Sequence, residues 1–530
     1  MGRENSVGAA RAGAPACVIA PRELLLAISG LALVATVRLA FLGTDWRSPD
    51  AIEYFDAARQ LAHGAGFTLT LKFHYFTSVP AVHAAWGERP VLYPLFLAAI
   101  LRLFGTAGAA QAATTLLALL EIGAFWLLAR RFVAAPYALG AALLCGLAPR
   151  SVALGRFLWS ETLYAVLLLL ALLICTGRRR GRAWLAGLLL GLAALCRQEG
   201  WLVMAGVLAL LAWRGDWRSA GAALLTFLAM LAPYLIFNAR AHGDPFYSSE
   251  AFHLRVRYFA DGMWFGFDRH LPSVPAFVQQ NAGWLRAQTV QRLRDYLWEL
   301  LAPGWLGPLG LLVVVPRPAW WREPRLRALA ALGLGSLLLY ACPLVADPDK
   351  ARFPLTAFLV GALLAAYDLQ EWLRVRRRPY LYGPALLLLG CWLALLVGLD
   401  VRDWRSARAA GAGPWGAPAL GAAEHWLRTR TPPGSVVAAD NPWDIVLDAG
   451  RPAIVLPFQQ DAATFLALER RYGMRYLVVA IPRLLPEVSP SSAVPRAAAL
   501  QAAHLRLAFT AVADGSSFRI YARRQGPRPP

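Results

Sequence analysis

The sequence predicts a mainly α fold: a polytopic transmembrane helical bundle of about eleven helices, with amphipathic helices in its outer loops and a small C-terminal α/β domain. Three observations predict it. The 530 residues are 58% hydrophobic with a mean hydropathy of +0.46, too apolar for an ordinary soluble enzyme. Apolar runs recur between residues 23 and 399, many near the roughly 20 residues that a hydrocarbon layer about 30 Å thick requires. After residue 400 the pattern changes to short apolar runs separated by helical stretches.

Crossings are expected near 23–43, 109–129, 135–154, 160–177, 183–197, 200–213, 219–237, 300–316, 327–345, 353–373 and 380–399. The two halves of 183–213 are short and read equally well as one bent or re-entrant pair. Residues 1–399 thus form the membrane domain, and 400–530 a separate domain. The first run, preceded by Arg3, Arg11 and Arg22 and lacking a small-residue cleavage site, is expected to be a retained helix.

Basic residues resist translocation. The loops "ARRF", "GRRRGR", "WRGDWR", "RPAWWREPRLR" and "RVRRR" hold 16 Arg, against 5 basic residues in the opposite short loops. The first set is expected in the cytoplasm, with the N-terminus inside and the C-terminal domain extracytoplasmic. That bias accounts for much of the formal charge of +21, so nucleic acid is not an expected partner. The six Cys form no close pair, which speaks against a disulfide framework or a Cys-ligated metal site.

Two outward segments, 44–108 and 238–299, exceed ordinary connectors. Their aromatic, amphipathic stretches, "FHYF", "AFHLRVRYF" and "GMWFGF", suit the bilayer surface. In the C-terminal domain, "SVVAAD", "AIVLPF", "YLVVAI" and "FRIYA" read as strands, and 418–430 and 461–472 as helices. No motif of its own chemistry marks this domain, which reads first as a lid or packing module.

The stretch "SPDAIEYFDAARQLAHGAGF" (48–67) follows the first crossing. Ser48 and Pro49 start a helix, Tyr54, Ala57, Ala58 and Leu61 make its apolar stripe, and Gly64 and Gly66 end it. Asp50 and Glu53 share a face. Asp50 near a helix start is also what the helix dipole alone would favour, by about 0.3–1 kcal/mol.

This stretch resembles the first outer loop of the glycosyltransferase C superfamily, especially bacterial polytopic members similar to protein O-mannosyltransferases and aminoarabinose transferases. The resemblance continues in order through "GERPVLYPLFLAAILRLFG" (87–105), "APRSVALGRFLWSETLYAVLLLL" (148–170), "GLLLGLAALCRQEGWLVM" (187–204), "FNARAHGDPFYSS" (237–249) and "DKARFPLTAFLVGALLA" (349–365). Many members carry an Asp-Glu pair at the first motif. Here Asp50 is followed by Ala51, with Glu53 the near acid.

The resemblance implies transfer of a hexosyl or pentosyl group from a polyprenyl-phosphate-linked sugar donor to a lipid, glycan or protein acceptor at the extracytoplasmic face, with inversion. Asp50 is then the expected catalytic base. Arg89, Arg197, Lys350 and Arg352, at outer ends of apolar runs, are the expected cations for the departing phosphate, though each is also placed to snorkel to headgroups. Glu53 and Glu161 are expected to position substrate, while Ser160 equally offers a plain helix cap. Arg38, inside the first run, is a candidate by rarity but close enough to the interface to snorkel.

No cofactor is certain and a divalent metal stays open. His63, His74 and His83 supply no third ligand or His-Glu-x-x-His pattern, so no metal ligand is assigned. Aromatics at 252–267, with Trp284, Trp298 and Trp305, suit an isoprenoid groove or an interface belt contacting membrane lipids. Two other classes compete, a lipid or sugar transporter and a non-catalytic envelope-assembly protein. A transporter is expected to place polar, broken helices at the bilayer midplane; here ionisable residues gather at outer loops and helix ends.

Overall fold

The computed structural model describes residues 21–72, 81–86, 89–177, 182–247, 273–314, 320, 323–345, 352–376, 382–409, 421–439, 441–456, 462–480, 509–514 and 518–523. The chain is a mainly helical polytopic bundle carrying, among the described residues, a six-stranded sheet and a two-stranded one. The first half runs α1 (Pro21–Ala40), α2 (Pro49–Ala62), α3 (Leu92–Phe104), α4 (Ala107–Ala129), α5 (Ala135–Leu147), α6 (Pro149–Arg156), α7 (Glu161–Thr176), α8 (Ala183–Ala194), α9 (Glu199–Trp213) and α10 (Trp217–His242). Then come α11 (Val274–Gln280), α12 (Ala282–Leu301), α13 (Leu311–Val314), α14 (Pro324–Ala341), α15 (Leu355–Arg376) and α16 (Tyr382–Ala409).

Helices occupy ten of the eleven expected crossings, with differences in form. Among the described residues, α1, α4 and α10 are each long and apolar enough to cross alone, and α3, α7, α8 and α9 are apolar but shorter. The expected 135–154 crossing is broken: α5 and α6 meet at Pro149 with a bend of 58°, because proline cannot supply the amide the helix needs there. The expected 300–316 crossing is not a continuous helix. Pro303 and Pro308 interrupt it, leaving a 3-10 turn at Gly307–Gly310 ahead of α13. Gly307 adopts φ +57°, and a Cβ there would sit 2.0 Å from the Trp392 ring, so only glycine fits between that turn and α16.

Small residues set the closest helix approach. Gly187 and Gly191, four apart on α8, bring its backbone against α10, where a Cβ on Gly187 would meet Ala223 O at 2.1 Å and one on Gly191 would meet Met230 Cβ at 2.8 Å. In an apolar surrounding such packing replaces the missing hydrophobic drive between helices.

Arg38 does not snorkel. It is 3% exposed, with Nε donating to Gly146 O at 3.2 Å and Nη2 to Ser151 Oγ at 2.8 Å. The break after α5 leaves Gly146 O without an intrahelical partner, and the guanidinium fills that vacancy from α1.

The C-terminal elements are α17 (Gly421–Arg430), α18 (Pro442–Asp444), α19 (Ala462–Tyr472) and strands β4 (Val436–Ala439), β5 (Ala453–Val455), β6 (Met474–Ala480), β7 (Phe509–Asp514) and β8 (Phe518–Arg523). The first outer segment adds β1 (Thr68–Leu69), β2 (Leu71–Lys72) and β3 (Ala84–Ala85). The six-stranded sheet has the order β2-β5-β4-β6-β8-β7. Its edge strand β2 comes from the first outer segment and pairs parallel to β5, Leu71 opposite Ala453 and Lys72 opposite Ile454. The sheet buries residues on both faces: Val437, Val455 and Ile520 on one and Ala438, Ile454 and Leu477 on the other, as a layer covered on two sides requires. Helix α16 runs unbroken through residues 399 and 400, where the sequence suggested a division.

Candidate active site

The helix that opens the first outer segment forms for the reasons its sequence carries. Ser48 caps α2 in extended conformation (φ −149°, ψ 160°), its Oγ accepting from Ala51 N at 3.1 Å, and Pro49 follows at the first helical position. The same Oγ accepts from Trp159 Nε1 at 2.8 Å, which ties the start of α2 to the start of α7. Tyr54, one turn on, places its hydroxyl 3.1 Å from Ser160 Oγ. Ser160 makes no side-chain cap to α7; its hydroxyl is turned toward Tyr54, so the capping role expected of it is not the one it has.

Around these contacts three arginines and four carboxylates form one network. Asp50 is held by Arg89 and by Arg352. Glu53 Oε2 accepts from Arg89 Nε at 3.3 Å, and its Oε1 from Trp443 Nε1 at 3.0 Å. Glu161 Oε1 accepts from Arg197 Nη1 at 2.6 Å and from Arg352 Nε at 2.7 Å. Arg197 also donates to Glu199 Oε2 at 3.4 Å and to Tyr340 Oη at 2.7 Å, and Glu199 Oε1 accepts from Ser336 and Thr356 at 2.6 and 3.1 Å. Aromatic faces support the cations: Arg352 lies 4.2 Å from the Trp159 ring centre, and Arg197 5.5 Å from those of Tyr340 and Phe353.

Five elements deliver these groups to one end of the bundle. Asp50 and Glu53 lie in the first turns of α2, Arg89 precedes α3, Glu161 opens α7, Arg197 sits in the break between α8 and α9, and Arg352 precedes α15. A backbone bond from Leu92 N to Leu195 O at 2.8 Å binds the Arg89 segment to the Arg197 break. Arg130 and Arg131 mark the opposite end, pairing with Glu23 at 3.0 Å and Thr176 at 2.7 Å.

Exposure separates the carboxylates. The Asp50 side chain is 20% exposed, whereas those of Glu53, Glu161 and Glu199 are 1–3% exposed. Asp50 is therefore the acid a substrate can reach. Burial by itself would raise the Asp50 carboxyl, but the charges of Arg89 and Arg352 outweigh it and hold the group below the usual carboxylate range. Glu53 goes the other way: burial, helped by the charge of Asp50, outweighs Arg89 and pushes it up to about 7.

The structure brings together Asp50, Glu53, Arg89, Glu161, Arg197 and Arg352. Lys350, His74 and the 252–267 aromatics lie outside the described residues. His63 and His83 stand apart, bonded to Arg59 O at 2.7 Å and Thr68 Oγ1 at 2.9 Å, and among the described residues no group of three or more His, Cys, Asp or Glu is arranged to hold a metal. Trp305 is fully buried against Phe358, so it lines no groove. Glu199, Tyr340 and Trp443 were not singled out from sequence. Glu199 had a signal, the acid of "RQEG" (197–200) inside the 187–204 segment that carries the resemblance. Tyr340 sits in an apolar run and Trp443 in the terminal domain, and neither had one.

Residues 91–348 match the model of Glycosyltransferase family 87, and no curated protein matches the chain. Among solved structures, ArnT from Cupriavidus metallidurans bound to undecaprenyl phosphate is similar at TM-score 0.53 and 15% identity, over 96% of this chain and 100% of that one. The archaeal oligosaccharyltransferase AglB from Archaeoglobus fulgidus, in complex with an inhibitory peptide and a dolichol-phosphate, is similar at TM-score 0.58 and 15% identity, over 96% of this chain and 75% of that one. The expected glycosyltransferase C resemblance is thus met twice, by a glycosyltransferase family over the middle of the chain and by a shared fold over nearly all of it.

Proposed function

We propose that this membrane glycosyltransferase moves a sugar from a polyprenyl-phosphate-linked donor to an acceptor at the extracytoplasmic face, with Asp50 as base and Arg89 and Arg352 as the cations that receive the phosphate. One observation carries the reading: the most accessible acid of a buried network is bridged between two arginines at one end of the bundle. The lipid phosphates bound by the two similar structures support the donor class.

The arrangement has a mechanistic consequence. A carboxylate held by two guanidinium groups is a weak base. An arriving phosphate competes for Arg89 and Arg352, and as they turn to it Asp50 gains basicity where an acceptor must lie. The acceptor proton passes to Asp50, the acceptor oxygen or nitrogen bonds to the anomeric carbon, and the bond to the phosphate oxygen breaks with its electron pair leaving on the polyprenyl phosphate. Charge gathering there meets cations already in place, the condition under which they accelerate the step. A single displacement inverts the anomeric centre. Glu161 and Glu199 hold Arg352 and Arg197 in position, and Lys350 is placed by sequence to join them.

The test is sugar transfer by purified protein in nanodiscs, with a panel of polyprenyl-phosphate sugars and membrane-extract acceptors. Asp50→Asn, folded, should lower kcat by roughly 10²–10⁴-fold. Transfer indifferent to Asp50 would sink the base assignment. No transfer from any donor, with lipid translocation in liposomes, would replace the reading by a transporter.

A further inference from the structure

Every acid of the network comes from the helical part of the chain, but one donor does not. Trp443 lies in α18, between β4 and β5 of the terminal sheet, and donates to Glu53 Oε1 at 3.0 Å across a sequence separation of 390 residues. Glu53 is 2% exposed, and its other oxygen accepts from Arg89. With both oxygens engaged the carboxylate cannot rotate without losing a bond. Arg89 in turn reaches Asp50, so Trp443, Glu53, Arg89 and Asp50 form one chain of hydrogen bonds.

That donor is not a lone touch between two bodies. Arg47, just ahead of α2, pairs with Asp448 at 2.9 Å; Arg59, near its end, donates to Val446 O at 3.2 Å; and β2 completes the sheet beside β5. The α2 helix is clamped at both ends to the segment that carries Trp443. A pure lid would require neither a fixed strand nor a side chain aimed at a buried acid.

We infer that Trp443 is a positioning residue for the transfer site: the terminal sheet sets Glu53, and through Arg89 sets Asp50, so this domain is part of the working site and not a cover over it. The inference rests on the transfer reading above for its consequence in rate, but not for the contact itself.

Two measurements separate them. In the transfer assay Trp443→Phe, which keeps an aromatic ring and removes the N–H, should lower kcat about tenfold, the worth of one hydrogen bond to a carboxylate. Donor KM should be unchanged, and the unfolding temperature should fall by a few degrees at most, the cost of the smaller ring and of the unmet Glu53 oxygen. Trp443→Phe with Glu53→Ala should be no slower than Glu53→Ala alone, because the acceptor of the bond is already gone. Independent effects that multiply, or an unchanged kcat, would overturn the inference; Trp443→Tyr serves the same cycle if the Phe variant does not fold. In 5-fluorotryptophan protein, the 19F resonance lost in that variant is that of Trp443. It should move in Glu53→Ala, which removes the acceptor, and a resonance that stays put would sink the contact even if no donor were ever transferred.

Discussion

Arg352 joins Asp50 to Glu161: its Nη1 donates to the one and its Nε to the other, the latter at 2.7 Å. The two acids belong to different helices, and the arginine is 302 residues from the first and 191 from the second. A planar fork with several fixed donors is pre-organised to hold two carboxylates in set directions; a single ammonium on a flexible stem is not.

Arg352→Lys should therefore separate charge from geometry. The charge remains, but the fixed fork that meets both acids is lost, and transfer should fall by about 100-fold with most of the loss in kcat. Steady-state kinetics over donor concentration measures it, and wild-type kinetics in the Lys variant would mean the fork is not used.

The raised carboxyl of Glu53 makes a signed prediction for stability. Its folded pKa, about 7 against an ordinary 4.5, means the folded state holds a proton that the unfolded chain releases. That stability is present below about 4.5 and is lost as pH rises toward 7. Glu53→Gln should remove this slope, so the wild-type minus variant difference in unfolding free energy should fall by on the order of 1–3 kcal/mol between pH 4.5 and 7. Asp50 does not confound the window, since its depressed group is lost only at lower pH. Unfolding in detergent across that range, with a flat difference, would contradict the burial of a neutral Glu53.

Glu424 and Asp444 repeat the argument in the terminal domain. Burial first, then the charges of Asp444 and Asp448, push Glu424 up to about 8 against Arg47, and Glu424 Oε1 and Asp444 Oδ1 have no hydrogen-bond partner among the described residues. Glu424→Gln should stabilise the protein progressively from pH 5 to 8, with the largest gain at the alkaline end. An unfolding series at constant ionic strength should show that rise, and a gain independent of pH would mean that repulsion is not its source.

Gly187→Leu tests the closest helix approach. With Ala223 O 2.1 Å and Thr226 Oγ1 2.4 Å from where a Cβ would stand, α8 and α10 must separate, at a cost of about 1–3 kcal/mol or more. Separation would also shift the break that carries Arg197, so stability and transfer should fall together. Gly206→Leu, on α9 with open space around its Cβ position, is the control and should do neither.

Periodicity and loop charge determined the bundle, the amphipathic α2 with its Ser48-Pro49 start, and β4, β5, β6, β8, α17 and α19 of the terminal domain, though not β7 or α18, because each depends on residues within a few turns of one another. Motif order along the chain was enough to nominate Asp50, Glu53, Arg89, Glu161, Arg197 and Arg352. Only the tertiary structure decided that these six share one network and that Asp50 alone of its acids is open. It also turned Arg38 inward to a broken helix, and brought Trp443 and β2 across the boundary between bundle and sheet. Those outcomes rest on contacts between residues hundreds of positions apart. An arginine that snorkels and one that is buried against a free carbonyl look the same in sequence, and only the packed neighbours distinguish them.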